Sequence, residues 1–162
     1  MENHLPEIAA RHPRLFENGQ APQWSYVLPG WASLLEQLCV NLEAALPPGR
    51  RLRVVQVKEK FGGLRFYYDL VRRDGRVEDV YYHEEDETEA TKAARALDRA
   101  ADAGLAEALM KIKQAAENKS QELCEGCGCP SEVRREGWHT TMCPACLAAV
   151  RAEREAEREG QS

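Results

Sequence analysis

Residues 57–68 read VKEKFGGLRFYY. Apolar and polar residues alternate up to a pair of glycines and alternate again beyond it. That is the signature of two strands joined by a tight turn, because glycine supplies the positive φ angles such a turn demands. With Gly62 and Gly63 as the turn, the expected register pairs Phe61 with Leu64, Glu59 with Phe66, Val57 with Tyr68 and Val55 with Leu70. Successive strand residues point to opposite faces, so these pairs share one face, apolar except for Glu59. The other face pairs Lys60 with Arg65, Lys58 with Tyr67 and Gln56 with Asp69. The strands then cover 51–61 and 64–71, and a turn at Asp74 and Gly75 leads to an expected third strand over 77–83.

An apolar sheet face needs cover, and two stretches have helical period. Trp31, Leu34, Leu35, Leu38, Leu42 and Ala45 recur on one helical face. Pro29 and Gly30 start this helix. Pro47, Pro48 and Gly49 end it, since proline neither donates a backbone bond nor fits the preceding turn. Cys39 borders the apolar face and is expected to be a small buried residue. The second helix is expected over about 86–118, with a stripe of Ala90, Ala93, Ala94, Leu97, Ala100, Ala101, Leu105, Ala108, Ile112 and Ala115. Gly104 interrupts it at a cost of roughly 1 kcal/mol in helix propensity, and marks either close packing or a break. Residues 1–22 are polar and broken by prolines, so a loose arm with one short helix is expected, followed by a short extended piece over 23–28. The predicted fold class is α+β: a small antiparallel sheet covered by two helices over 23–119, with an appended unit at 120–162.

That appended unit carries the strongest chemistry. Cys124 with Cys127 and Cys143 with Cys146 are two C-x2-C pairs, fifteen residues apart. Each pair directs two sulfurs at one point, and two pairs complete a tetrahedron of soft donors suited to zinc. Gly128 gives the first turn backbone freedom, and Pro144 suits the first turn of a helix over 147–159, whose N-terminal dipole favours thiolates. Turn, hairpin, second pair and helix make a treble-clef-like zinc finger with one structural Zn²⁺ per chain. Cys129 lies too close to Cys127 for both to join comfortably and is taken as a bystander. His139 enters the ligand set only if a cysteine drops out. Four sulfurs leave no open coordination position, and closed sites serve folding rather than catalysis.

Composition bounds the function. In 162 residues, 30% are charged and the net charge is −5, which argues against indiscriminate nucleic-acid binding. The charge is uneven: residues 50–76 hold nine Lys/Arg against three acids, and residues 77–102 hold nine acids against three bases. No apolar run approaches the roughly 20 residues that span a bilayer, so no membrane is expected. The start of the chain lacks a basic then apolar signal, so the cytoplasm is the expected location.

The segments HPRLF, GWASLLEQL, VVQVKEKFGGLRFYY and CEGCG…GWHTTMCPAC resemble those of a group of small uncharacterised bacteriophage and prophage proteins. The resemblance implies a phage or prophage accessory protein and brings no activity or catalytic residue with it. The long acidic-then-alanine helix and the extra Cys129 depart from that pattern.

Taken together, the expectation is a zinc-stabilised, non-enzymatic binding module for a host or phage macromolecule, with a protein as the expected partner and host defence as a candidate target. The expected contact surface is the outer hairpin face, Lys58, Lys60, Arg65 and Tyr67, where cations alternate with an aromatic ring. The acidic segment 84–89 is the competing surface. The alternative is nucleic-acid binding through the finger. A second alternative is an HNH-like nuclease using His139, although Trp138 and Thr140 flank it where such a site has an acid. Glu59 is read as a charge-paired structural residue, reaching water or an arginine of the long helix, rather than as a catalyst.

Overall fold

The computed structural model describes residues 3–71 and 89–160, the side chains of 89–101 excepted. The expected third strand, the turn at Asp74 and Gly75, and residues 84–88 of the acidic segment lie outside the described residues. The described elements are α1 (Leu5–Arg11), a short 3-10 turn (Glu17–Gly19), α2 (Pro29–Ala45), β1 (Arg51–Lys60), β2 (Gly63–Val71), α3 (Glu89–Ser120) and α4 (Pro144–Glu159). β1 and β2 pair antiparallel, and the class is α+β as predicted.

The hairpin turns one residue earlier than expected. Phe61 and Gly62 are its central residues, with φ of 55° and 72°, as a type I′ turn requires. Gly63 opens β2 and faces Lys60, so Val57 pairs with Phe66 and Glu59 with Leu64. The reason lies in Glu59, whose Oε1 accepts the Gly62 amide at 2.6 Å and ties down the turn. A second departure sits at Val55, where a bulge between Val54 and Gln56 reverses the facing of β1. Val54, Leu52 and Val57 are buried while Val55, expected inside, is 48% exposed. Beyond the bulge, Arg53 reaches Asp69 across the ladder at 2.7 Å.

The N-terminal segment is no loose arm. Leu5, Ile8, Leu15 and Phe16 are fully buried, and the Phe16 ring meets Phe66 edge to face. Each such side chain contributes roughly 1.5–3 kcal/mol by leaving water. Asn3 Oδ1 accepts the amides of both Leu5 and Val27, which starts α1 and fastens it to the strand-like approach to α2. Backbone amides of Leu52 and Val54 donate to the carbonyls of Arg14 and Leu15, so this segment covers the outer edge of β1. Arg14 donates to the carbonyls of Glu43, Leu46, Pro47 and Arg50. Those carbonyls sit at and beyond the end of α2, where the i+4 amides of the helix run out.

α2 spans the predicted residues and buries Trp31, Leu35, Leu38, Cys39 and Leu42. Burial pushes the Cys39 thiol up to about 12, so it is inert packing. α3 presents Leu109, Ala116, Glu117 and Ser120 to the interior instead of Ala108 and Ala115. The stripe turns because the last two complete the edge of the sheet. Phe66 N–H donates to Glu117 at 2.9 Å and Leu64 N–H to Ser120 Oγ at 2.8 Å. These are amides that β2 would otherwise leave unpaired inside the protein. Asp102 of α3 pairs with the buried Arg50 at 2.7 Å. Gly104 marks neither close packing nor a break, since α3 runs through it and an added Cβ would meet open space.

Candidate metal centre

α3 delivers the chain directly into the finger. Leu123 bridges to Pro130, and the turn between them closes on itself: Cys124 N–H donates to Cys129 O and Gly128 N–H to Cys124 O, both at 2.8 Å. Gly128 takes φ +74°. A short hairpin follows, with Arg134 bridged to Thr140 and Gly137 at φ +77°. Cys143 then caps α4, with Pro144 in the first turn. The succession of turn, hairpin and helix is the treble-clef-like order read from the sequence.

The sulfurs of Cys124, Cys127, Cys129 and Cys143 all lie within 4.8 Å of one another, a group that can hold a metal ion. The Cys127 and Cys143 sulfurs are 3.8 Å apart. Zinc–sulfur bonds of about 2.3 Å in a tetrahedron give an edge of about 3.8 Å, so the spacing fits such an ion. Cys129, taken above as a bystander, does not stand apart. The Cys124–Cys129 backbone bond brings the end of the turn back to its beginning and carries the thiol in. Cys146 reaches the same cluster from α4. Its sulfur lies where a Cβ on Gly126 would meet it at 2.9 Å, and it interacts with the thiols of Cys127, Cys143 and Cys124. Five thiols therefore converge where a tetrahedral ion takes four.

Backbone donors favour the thiolate form of some of these groups. The Cys146 amide holds the Cys143 thiol down at about 6, and the Cys129 amide lowers that of Cys127. The thiolate is the ligating form. The bond to Cys127 raises the Cys129 thiol to about 12, and burial raises that of Cys146. The Cys143 amide also donates to Cys124 Sγ at 3.2 Å.

Two contacts seat the finger on the core. Trp31 donates its indole N–H to Leu123 O at 3.0 Å, and Gly30 N–H donates to Glu125 O at 3.0 Å. A Cβ on Gly30 would fall 2.1 Å from Cys124 O and 2.5 Å from Gly128 N, so the start of α2 presses on the first cysteine turn backbone to backbone. Glu125 completes the joint. Its buried carboxylate accepts from Thr140 Oγ1 and from the amides of Thr141 and Met142, linking the first cysteine turn to the approach to the second. Burial holds its pKa above the ordinary carboxylate value.

The predicted contact residues keep one face despite the shifted register, with Lys58 now opposite Arg65. Lys58 Nζ lies 5.5 Å from the Tyr67 ring centroid, and Lys60 Nζ 5.3 Å from that of Phe61. Arg65 turns back to the Leu64 carbonyl. Glu59 makes no ion pair among the described residues; its partner is the Gly62 amide rather than a helix arginine. The His139 ring packs edge to face on Phe61, and no carboxylate bonds to it among the described residues.

The hairpin tip and the finger enclose two adjoining hollows. The larger, about 1270 Å³, counts Glu59, Glu125 and Glu136 and the arginines Arg134, Arg135, Arg151 and Arg154 among its lining residues. The smaller, about 450 Å³, lies between Lys58, Lys60 and Phe61 of the hairpin and Trp138 and His139 of the finger. The sequence reading missed the contribution of α4 to the larger hollow. The signal was Arg151 and Arg154 at helical spacing beside Leu147 and Val150, a basic stripe on a helix otherwise rich in glutamate. Among the described residues no helix is long and apolar enough to cross a membrane. No family model, curated protein or solved structure matches the chain.

Proposed function

We propose that this chain is a phage or prophage accessory protein that acts as a zinc-stabilised binding module, engaging a host or phage macromolecule without transforming it. The observation that carries the reading is the donor set: sulfur alone, converging from two turns, with α2 seated against the first of them. Cys124, Cys127 and Cys143 are assigned as ligands, with Cys146, which pairs with Cys143 in the second C-x2-C turn, rather than Cys129 as the fourth. A Zn²⁺ there supplies folding energy and charge neutralisation, and four sulfurs leave it no place for a reactant. Its work is to hold the finger against the hairpin tip, so that Lys58, Lys60, Arg65 and Tyr67 sit beside a second, finger-borne surface. The assignment of this chain to the bacterial cytoplasm belongs to the same proposal.

The test is capture from a bacterial host lysate with the immobilised zinc-loaded protein. Wild type should retain a partner that Lys58→Glu/Lys60→Glu/Arg65→Glu, with an unchanged circular dichroism spectrum and metal content, releases. Equal retention by both would remove the hairpin face from the interaction. Turnover of a nucleic-acid substrate that vanishes in His139→Ala would replace the binding module by the nuclease reading.

A further inference from the structure

The geometry points to single-stranded nucleic acid as the ligand of the surface shared by hairpin tip and finger. The inference rests on the binding-module reading and names the ligand class. Its basis is the position of Trp138, which is 83% exposed and lines both hollows. The larger hollow is also lined by Arg134, Arg135, Arg151 and Arg154. All four are exposed, and none makes an ion pair among the described residues. The smaller hollow is also lined by Lys58 and Lys60, the latter over the 65% exposed ring of Phe61.

Three carboxylates share these walls, but two are engaged within the protein: Glu59 by the Gly62 amide, and Glu125 by Thr140 while itself buried. Glu136 is the exposed one. Six cations thus stand against three carboxylates, only one of them free of internal bonds, and the local balance is positive in a chain whose overall charge is −5. Cations alone would suit any polyanion. An uncovered indole lining two cation-bearing hollows suits a strand whose bases are free to stack while its phosphates reach the guanidinium groups. A duplex keeps its bases stacked on one another and offers the indole nothing, and an acidic peptide has no flat face for it.

The experiment is fluorescence anisotropy of labelled oligothymidylate and oligouridylate, each about twenty nucleotides long to exceed a single-strand site, with the zinc-loaded full chain over a salt series. The result expected is saturable binding at low salt that weakens as salt rises. Trp138→Ala should lose on the order of ten-fold in affinity, the scale of one stacked base. Arg151→Ala/Arg154→Ala should reduce the log–log salt slope by about 1.4, two phosphate contacts on a single strand. All these positions are on the surface, and metal content and circular dichroism verify the fold. Absence of any anisotropy change at low salt would overturn the inference, as would a duplex of the same length binding equally well. Displacement of the oligonucleotide by poly-glutamate, with Trp138→Ala indistinguishable from wild type, would overturn it in favour of an acidic polypeptide. If oligonucleotides fail while a lysate partner is still captured through Lys58, Lys60 and Arg65, the ligand class falls and the binding module stands.

Discussion

The two halves of this molecule are held together by different physics. From α1 to α3 the chain buries Trp31, Phe16, Phe66 and a run of leucines in one cluster. Its polar groups are used to finish edges: Arg14 on the end of α2, Glu117 and Ser120 on the edge of β2. Beyond α3, α4 has no buried residue, and Cys124 is the one buried apolar side chain among the described residues of the finger. A unit this small cannot offset its chain entropy by apolar burial, and converging thiols stand where a core would be. The lesson lies at the joint. The finger is not a bead on a string, because the start of α2 penetrates its first turn as far as two backbones can approach.

Gly30→Ala would break that joint most severely. The new methyl meets backbone on both sides, where nothing flexible can yield, so a loss of about 2–4 kcal/mol is expected, with metal retention falling alongside. Denaturant titration and metal analysis of the same sample check both. Unchanged stability would mean that the two halves are independent. Glu117→Ala sharpens the picture of the core. It strands the Phe66 amide inside the protein, a cost of about 1–3 kcal/mol, and should leave metal content untouched. A drop in bound metal would show that the halves are coupled through α3 as well. Gly104→Ala is the smallest change and has the opposite sign. On an exposed helical face with open space around it, it should stabilise by about 1 kcal/mol. Two helical glycines thus give opposite outcomes, and thermal unfolding of the pair in one buffer distinguishes them.

Much of this was legible in the residues. Period-two alternation around the glycines gave the hairpin, proline punctuation gave both ends of α2, and paired C-x2-C spacing gave the sulfur cluster. What escaped depends on partners distant in sequence or on backbone closure. The turn moved because Phe61 accepts a positive φ while Glu59 holds the next amide, which a rule favouring glycine pairs does not anticipate. The bulge at Val55 follows from tertiary fit, and alternation alone predicts the wrong valine inside. The HPRLF segment looked loose because its prolines and charges hide Leu15 and Phe16, and because Arg14 finds its acceptors only when the end of α2 is in place. Cys129 was set aside by counting residues between cysteines, whereas the Cys124–Cys129 hydrogen bond is what brings it in.

The most direct test of the central claim is native mass spectrometry combined with amide hydrogen exchange. One zinc ion per chain is expected for wild type and for Cys129→Ser, and none for Cys124→Ser or after chelation. On metal loss, amides of residues 121–160 should exchange freely while those of α2, β1 and β2 stay protected. A metal-free chain whose finger amides remain as protected as before would contradict the account, because something other than an ion would then be holding the five sulfurs together.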